Sequence, residues 1–161
     1  MKKLTISSIC LVLVFVLSAA TSTLAASDEQ EVLEAVKNAT DATKSRDYDL
    51  MSSSWLQSPD ASFFGGGEEN AFLTSGWENV EVFLKAMSEI PENVMSISNH
   101  DMKVTMLSDD VALVTGYSIL TFNPPDSNEQ IVNHARVSNV LKKVSGKWLT
   151  VHSHWSTFPS E

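Results

Sequence analysis

The sequence has very little cysteine: a single residue, Cys10, among 161. Cys10 lies before most of an apolar N-terminal run, which is the wrong place for a lipid-attachment cysteine. If that run is removed, the remaining chain has no cysteine and forms no disulfide. Its stability must then come from a buried apolar core.

Basic residues are also scarce, with 11 Lys and Arg against 20 Asp and Glu and a formal net charge of −9. Such a surface repels phosphate backbones and anionic membranes, which argues against nucleic acid as a partner. The same balance is ordinary for solubility and does not by itself indicate a function. An internal arginine would nevertheless stand out in so acidic a chain.

The six glycines include one cluster, Gly65-Gly66-Gly67. A phosphate-binding loop needs a lysine after its glycines, whereas Glu68 and Glu69 follow here and would repel phosphate. We therefore expect no nucleotide site, and we interpret the cluster as a loop beside a pocket mouth.

The N-terminus has the features of a secretory signal peptide. A basic start precedes an apolar run from Ile9 to Leu17, and small residues follow up to Ala25. The run is too short and wrongly flanked to span a membrane. We expect a signal peptide over 1–25, one domain over 26–161, no membrane attachment after cleavage, and a periplasmic or secreted location.

Helical periodicity comes first in the expected domain, and strands follow it. The spacing predicts helices over 28–45, after Asp47, and from 75 to just before Pro91. Trp55 would point inward from the second helix, as a core residue or as a pocket wall. A short strand at 60–64 and four long strands complete an α+β pattern, in which sequential antiparallel pairing makes a meander. The long strands are predicted at 94–106, 111–122, 129–144 and 148–156.

The last hairpin carries the most specific pattern. The turn at 144–147 predicts a two-residue connection. Pairing its two ends would place Arg136 opposite Trp155 and Ser138 opposite Ser153, all on one face. This is the more apolar face, so we interpret it as core-facing. A guanidinium beside an indole there indicates a pocket wall.

This hairpin, together with the strand Asp110–Tyr117, resembles SnoaL-like proteins of the nuclear transport factor 2-like superfamily. The branch containing the association domain of calmodulin-dependent kinase II is the most similar in appearance. The resemblance covers most of the chain after residue 28 and is specific over the last third. It implies a cone-shaped fold, with three N-terminal helices packed on a curved antiparallel sheet and a pocket between them.

In the kinase branch, the resemblance matches cavity arginines to Arg136, Trp155 and Ser118. This chain keeps one of the three, which implies a more apolar pocket. The strand at 111–120 is apolar on both faces, so its outer face also needs a cover. We therefore expect a homodimer or larger homo-oligomer through the outer sheet face, as the resemblance also implies.

The chemistry of the expected pocket leaves alternatives open. A buried Arg136 needs an anionic partner, either Asp60 or the carboxylate of a ligand stacked on Trp155. His134 shares the predicted face, and an Asp60–His134 pair would be a proton-transfer couple of the kind that dehydratases and isomerases of the superfamily use. His152 and His154 form at most half of a metal site, so we expect no metal.

Three functional hypotheses follow. The first is an exported domain that binds a small, partly apolar molecule in the cone. Carboxylates are among the ligands expected. The second is a cofactor-free lyase, isomerase or cyclase that acts through His134 and Asp60. The third is a purely structural oligomerisation module. The ligand-binding residues expected are Arg136, Trp155, Ser118, Ser138, Ser153 and Trp55, with no cofactor.

Overall fold

The structure, a computed structural model, describes residues 27–66, 71–125 and 129–157. The expected signal peptide lies outside these ranges. The helices are α1 (27–44), α2 (Tyr48–Ser53) and α3 (Trp77–Ser88). The strands are β1 (Ser62–Gly65), β2 (Phe72–Ser75), β3 (Met95–Met106), β4 (Val111–Phe122), β5 (Ile131–Val144) and β6 (Lys147–Thr157). Within the described ranges, no helix has the length and apolar character needed to cross a membrane.

The three predicted helices are all present because each offers an apolar stripe to the sheet. Val32 and Val36 on α1 are buried, as are Val80 and Leu84 on α3, and both pairs have the four-residue spacing of one helix face. The short helix α2 is capped at its N-terminus by Asp47, whose carboxylate accepts a hydrogen bond from the Leu50 amide at 3.0 Å.

The six strands form one sheet in the order β2-β1-β6-β5-β4-β3. The antiparallel meander predicted for β3 to β6 is confirmed. Two features differ from the prediction. The four-residue strand β2 was not predicted, and β1 pairs with β6 in parallel, so the sheet is not wholly antiparallel. A four-residue strand beside a glycine loop shows too little alternation to be recognised.

The β5–β6 turn has the predicted pairing of Val144 with Lys147. Ser145 and Gly146 have φ values of 50° and 80°. Positive φ at both central residues is the geometry that continues the strand twist through a two-residue hairpin.

A β-bulge then changes the register of this hairpin. Leu141 pairs with Thr150, but Val140 pairs with His152, so Val151 is an extra residue on β6. Beyond the bulge every pairing is shifted by one residue from the prediction, so Trp155 lies opposite Val137. The predicted pairing of Arg136 with Trp155 is therefore wrong.

Two apolar clusters lie between the helices and the inner face of the sheet. One joins α1 to the middle strands through Val32, Val114, Leu141 and Trp148. The other joins α3 to β1 through residues that include Trp55 and Ala61. In both clusters the packing is on the same side of the sheet. Within one copy of the described chain, these helices leave the opposite side, called the outer face below, uncovered.

Candidate functional site

A cavity of about 490 Å³ lies between the two apolar clusters. The inner faces of β3, β4, β5 and β6 form its floor, and α1, α2 and α3 form its roof and sides. The apolar side chains on its wall come from both layers. They include Val36, Met51, Trp55, Phe63, Phe72, Phe83, Leu84, Met87, Met95, Ile97, Leu120, Phe122 and Trp155.

Aromatic rings form one wall of the cavity. Phe63 on β1 stacks on Phe83 of α3 with 4.4 Å between ring centroids, and Phe72 of β2 lies 5.7 Å from both rings. Trp155 lies 6.5 Å from Phe63 at a tilted angle. Such a wall offers a flat, apolar contact surface with little rotational freedom to lose on binding.

The polar part of the described lining is uncharged. Among the described residues on the wall there is no Asp, Glu, His, Lys or Arg. The polar side chains are those of Thr40, Thr43, Ser54, Asn99, Asn133, Asn139, Thr150, Ser153 and Thr157. Hydroxyl and carboxamide groups form hydrogen bonds without bringing a charge into a low-dielectric space.

One of these carboxamides is held in place by neighbouring hydroxyl groups. Asn99 donates from Nδ2 to Oγ1 of Thr40 at 2.7 Å, and its Oδ1 accepts a hydrogen bond from the Ser118 hydroxyl. Ser118 is fully buried. Because both amide atoms are engaged, the orientation of the Asn99 side chain in the wall is fixed.

A second set of polar side chains on the cavity wall can still form hydrogen bonds with a ligand. Asn139 lies opposite Ser153 across the β5–β6 pair, and Thr150 lies nearby on β6. Ser153 Oγ accepts a hydrogen bond from the Trp155 indole N–H at 3.0 Å, which holds the indole ring in place. The hydroxyl hydrogen of Ser153 stays available to donate. Among described side chains, only the Trp148 indole N–H is fully enclosed without a partner. Asn139 and Thr150 both line the cavity, and their carboxamide and hydroxyl groups can form hydrogen bonds with a ligand.

Arg46 supports the far end of the cavity. Its guanidinium donates to the carbonyl of Ile90 at 2.9 Å and to the carbonyls of Thr43 and Met95. These three residues all line the cavity. One side chain thus ties α1 to the end of α3 and the start of β3, and sequence periodicity gave no indication of this role.

Three of the predicted ligand-binding residues line the cavity: Trp55, Ser153 and Trp155. Ser118 lies behind the wall and acts through Asn99. Gly65 and Gly66 also line the cavity, which agrees with the interpretation of their loop as lying beside a pocket. Gly67, Glu68 and Glu69 lie outside the described residues.

The predictions for Arg136, His134 and Ser138 were wrong in their placement. These residues alternate with Ala135 and Val137, which are buried on the inner face, so their side chains project from the outer face. Arg136 and His134 are exposed there, and neither lines the cavity. The bulge at Val151 is the reason, because it brings Trp155 inward beside Val137 instead of Arg136.

Asp60 does not lie in the cavity either. It is exposed in the turn before β1. The structure therefore does not bring Asp60 and His134 together in the cavity as a proton-transfer couple. His152 and His154 project outward, and Nδ1 of His152 lies 2.8 Å from the Ser62 hydroxyl. Over the described ranges, no group of three or more His, Cys, Asp and Glu could hold a metal ion.

Sequence reasoning missed the three carboxamides Asn99, Asn133 and Asn139. A signal was present, since asparagine is depleted in strand interiors and yet occurs here on the buried side of long strands. Phe63 lies in the predicted strand at 60–64 and Phe83 in the third predicted helix, but periodicity does not distinguish a cavity wall from ordinary packing.

Residues 32–161 match the SnoaL-like domain family, and the chain belongs to this family. No protein of curated function matches the chain. Several solved structures share the fold at low sequence identity. A candidate dehydratase of the NTF2-like family from Streptomyces avermitilis has a TM-score of 0.70 at 20% identity, covering 83% of this chain and 98% of that one.

Two further structures place the chain in the same fold. The association domain of CaMKII from C. elegans has a TM-score of 0.66 at 21% identity, covering 81% of this chain and 96% of that one. A candidate scytalone dehydratase from Novosphingobium aromaticivorans has a TM-score of 0.72 at 11% identity, covering 86% and 89%. The expected nuclear transport factor 2-like α+β fold is thereby confirmed.

Proposed function

We propose that the protein binds an uncharged, largely apolar small molecule that carries hydrogen-bonding groups. The observation that supports this proposal is the cavity lining, which combines an aromatic wall with hydroxyl and carboxamide groups and has no ionisable side chain among the described residues. A volume of about 490 Å³ is within the usual range of small-molecule sites.

The lining also narrows the class of ligand. Moving a carboxylate into this cavity would cost free energy, because no described cation on the wall would replace its hydration. The earlier expectation of a carboxylate bound by Arg136 loses its basis with Arg136 on the outer face. Asn139, Thr150 and Ser153 instead suit a carbonyl, hydroxyl or amide group on the ligand.

Catalysis is the second candidate, since two of the similar structures are of candidate dehydratases. General acid–base catalysis needs an ionisable group within hydrogen-bonding reach of the reacting atoms. The described lining offers none, and His134 and Asp60 lie elsewhere. Binding without proton transfer is therefore the better-supported function.

We also propose a homodimer formed through the outer face of the sheet. Tyr117 and Val132 are 50% and 47% exposed there, and Leu113, Ile119 and Val140 share the same face. One copy of the described chain has no element to cover these side chains, whereas a second copy would bury them. The similarity to an association domain also favours self-association. Export with removal of residues 1–25 completes the proposal.

A matched pair of fluorescent probes tests the binding proposal. N-phenyl-1-naphthylamine is neutral, and 8-anilinonaphthalene-1-sulfonate has the same ring system with one negative charge. We expect the neutral probe to bind with a Kd at least about tenfold lower, because the sulfonate would lose hydration without gaining a cation. Titration with emission from the probe measures both constants.

The substitution Asn139→Asp locates the bound probe. It keeps the size of the side chain and adds a charge to the wall, so neutral-probe affinity should fall at least about fivefold. Asn38→Asp makes the same change on the exposed face of α1 and should have no effect. Equal or tighter binding of the sulfonate, no neutral-probe binding, or equal responses of the two variants would contradict the proposal.

A further inference from the structure

The outer face of the sheet holds all four histidines of the chain. Their neighbours Asn99, Asn133, Ser153 and Trp155 line the cavity on the inner face, so alternation directs the histidines outward. The histidines are His100 on β3, His134 on β5, and His152 and His154 on β6.

The histidines occupy defined environments on this face. His152 lies 2.8 Å from the Ser62 hydroxyl, and His100 lies 2.9 Å from the Ser98 hydroxyl. The ring of His154 meets Phe64 edge-on at 5.0 Å between centroids. His134 is exposed and pairs with the apolar Ile119 across β4 and β5. None of these contacts supplies a negative charge.

Among the described residues, the charged side chains at outward positions of β4, β5 and β6 are all basic, although the whole protein is acidic. Besides the histidines, the titratable side chains at outward strand positions are Lys103, Tyr117, Arg136, Lys142 and Lys147. Among the described residues, no outward position of β4, β5, β6, β1 or β2 is Asp or Glu. Two acids lie at the margins: Asp101 in the bulge of β3, and Glu129 before β5.

We propose that acidification separates the outer-face dimer by charging these histidines. The inference rests on the dimer proposed above and adds its regulation. When two outer faces meet, up to eight imidazoles lie in or beside the interface, and the described outward positions of β4, β5 and β6 offer them no carboxylate. Protonation there adds like charges that lose water and gain no anion from these strands.

The pKa of His152 already departs in the expected direction within one subunit. Burial, and secondarily the neighbouring His154, lower the pKa of His152 below its usual value. A histidine whose pKa falls further on dimerisation leaves the dimer undisturbed above the pKa it has in the separate subunit, and weakens association progressively below it.

Sedimentation equilibrium of the chain from residue 26 onward, at pH 7.5 and pH 5.0 and constant ionic strength, tests this inference. We expect a dimer at pH 7.5 and a dimer Kd at least about tenfold higher at pH 5.0. The variant H134Q/H154Q should dimerise at pH 7.5 with a clearly smaller change in Kd. Near-ultraviolet circular dichroism at both pH values checks that the subunits remain folded.

The possible results distinguish failure of the proposed dimer from failure of its regulation by acid. A folded dimer with the same Kd at both pH values overturns the regulation and keeps the dimer. A monomer at pH 7.5 overturns the dimer and the regulation with it. The inference is also overturned if dissociation accompanies loss of the near-ultraviolet signal, or if H134Q/H154Q shows an equal change in Kd. In either case the histidine charges would not cause the dissociation.

Discussion

At the scale of single residues, the cavity depends on side chains that hold backbone in place. Arg46 has a φ of 56°, an unfavourable value for a residue with a Cβ. Its guanidinium donates to three carbonyls, from α1, from the segment after α3 and from β3. The planar group of arginine can do this with a fixed fork of donors, whereas a lysine ammonium cannot reach all three.

Replacement of Arg46 by alanine should lower the free energy of unfolding by about 2 kcal/mol, because the carbonyls of Thr43, Ile90 and Met95 lose a charged donor. Arg46→Lys should recover only part of this loss. Urea unfolding followed by tryptophan fluorescence measures it, and Lys44→Ala, in an exposed ion pair with Asp41, is the control. Equal stability of Arg46→Ala and the control would show that the three hydrogen bonds contribute nothing.

At the scale of elements, two bulges decide where side chains point. The bulge at Val151 lets Thr150 and Ser153 both face inward, although their spacing along a regular strand would put them on opposite faces. The bulge on β3 lies between His100 and Lys103. It brings Met102 over Gly116 of β4, where only glycine leaves enough room.

Gly116→Ala should destabilise the fold by about 1–3 kcal/mol. The added Cβ would lie 2.9 Å from the backbone carbonyl oxygen of His100 and would also collide with the Met102 side chain. Thermal unfolding measures the change. The double variant Gly116→Ala/Met102→Ala should not restore stability, because the backbone contact remains. An unchanged Tm for Gly116→Ala would mean that the bulge adapts at no cost.

At the scale of the whole molecule, charge is unevenly distributed. The formal net charge is −9, yet the outer face of the sheet carries lysines, arginine and all four histidines. The acids of α1 lie on the opposite side of the sheet, where Asp28 and Glu31 pair with Lys143 at 2.6 and 2.9 Å. This separation is what gives the proposed dimer a defined response to acid.

Export is also a property of the whole molecule. We expect the protein purified from its own host to have the intact mass of residues 26–161, and a variant with Leu13→Asp in the apolar run to remain uncleaved inside the cell. Intact-mass spectrometry of cell fractions distinguishes the forms. A cell-associated protein of full mass in the unsubstituted chain would contradict the proposal.

The amino-acid sequence by itself determined the class and much of the layout of this protein. Three helices, four long strands and the turn at 144–147 follow from periods of 3.6 and 2 and from a Ser-Gly pair, because these are local consequences of backbone geometry. The inward positions of Trp55, Ser153 and Trp155 were also predictable, since each is part of an apolar pattern.

Only the tertiary structure decided which polar residues share the cavity. One inserted residue at Val151 shifts every later pairing by one residue, and no local pattern marks it, because a bulge is stabilised by packing across strands. Arg136 and His134 therefore face outward, and Asn99 and Asn139 line the cavity with Ser153. In this protein, contacts between residues far apart in the chain decided whether the described cavity lining is charged or neutral.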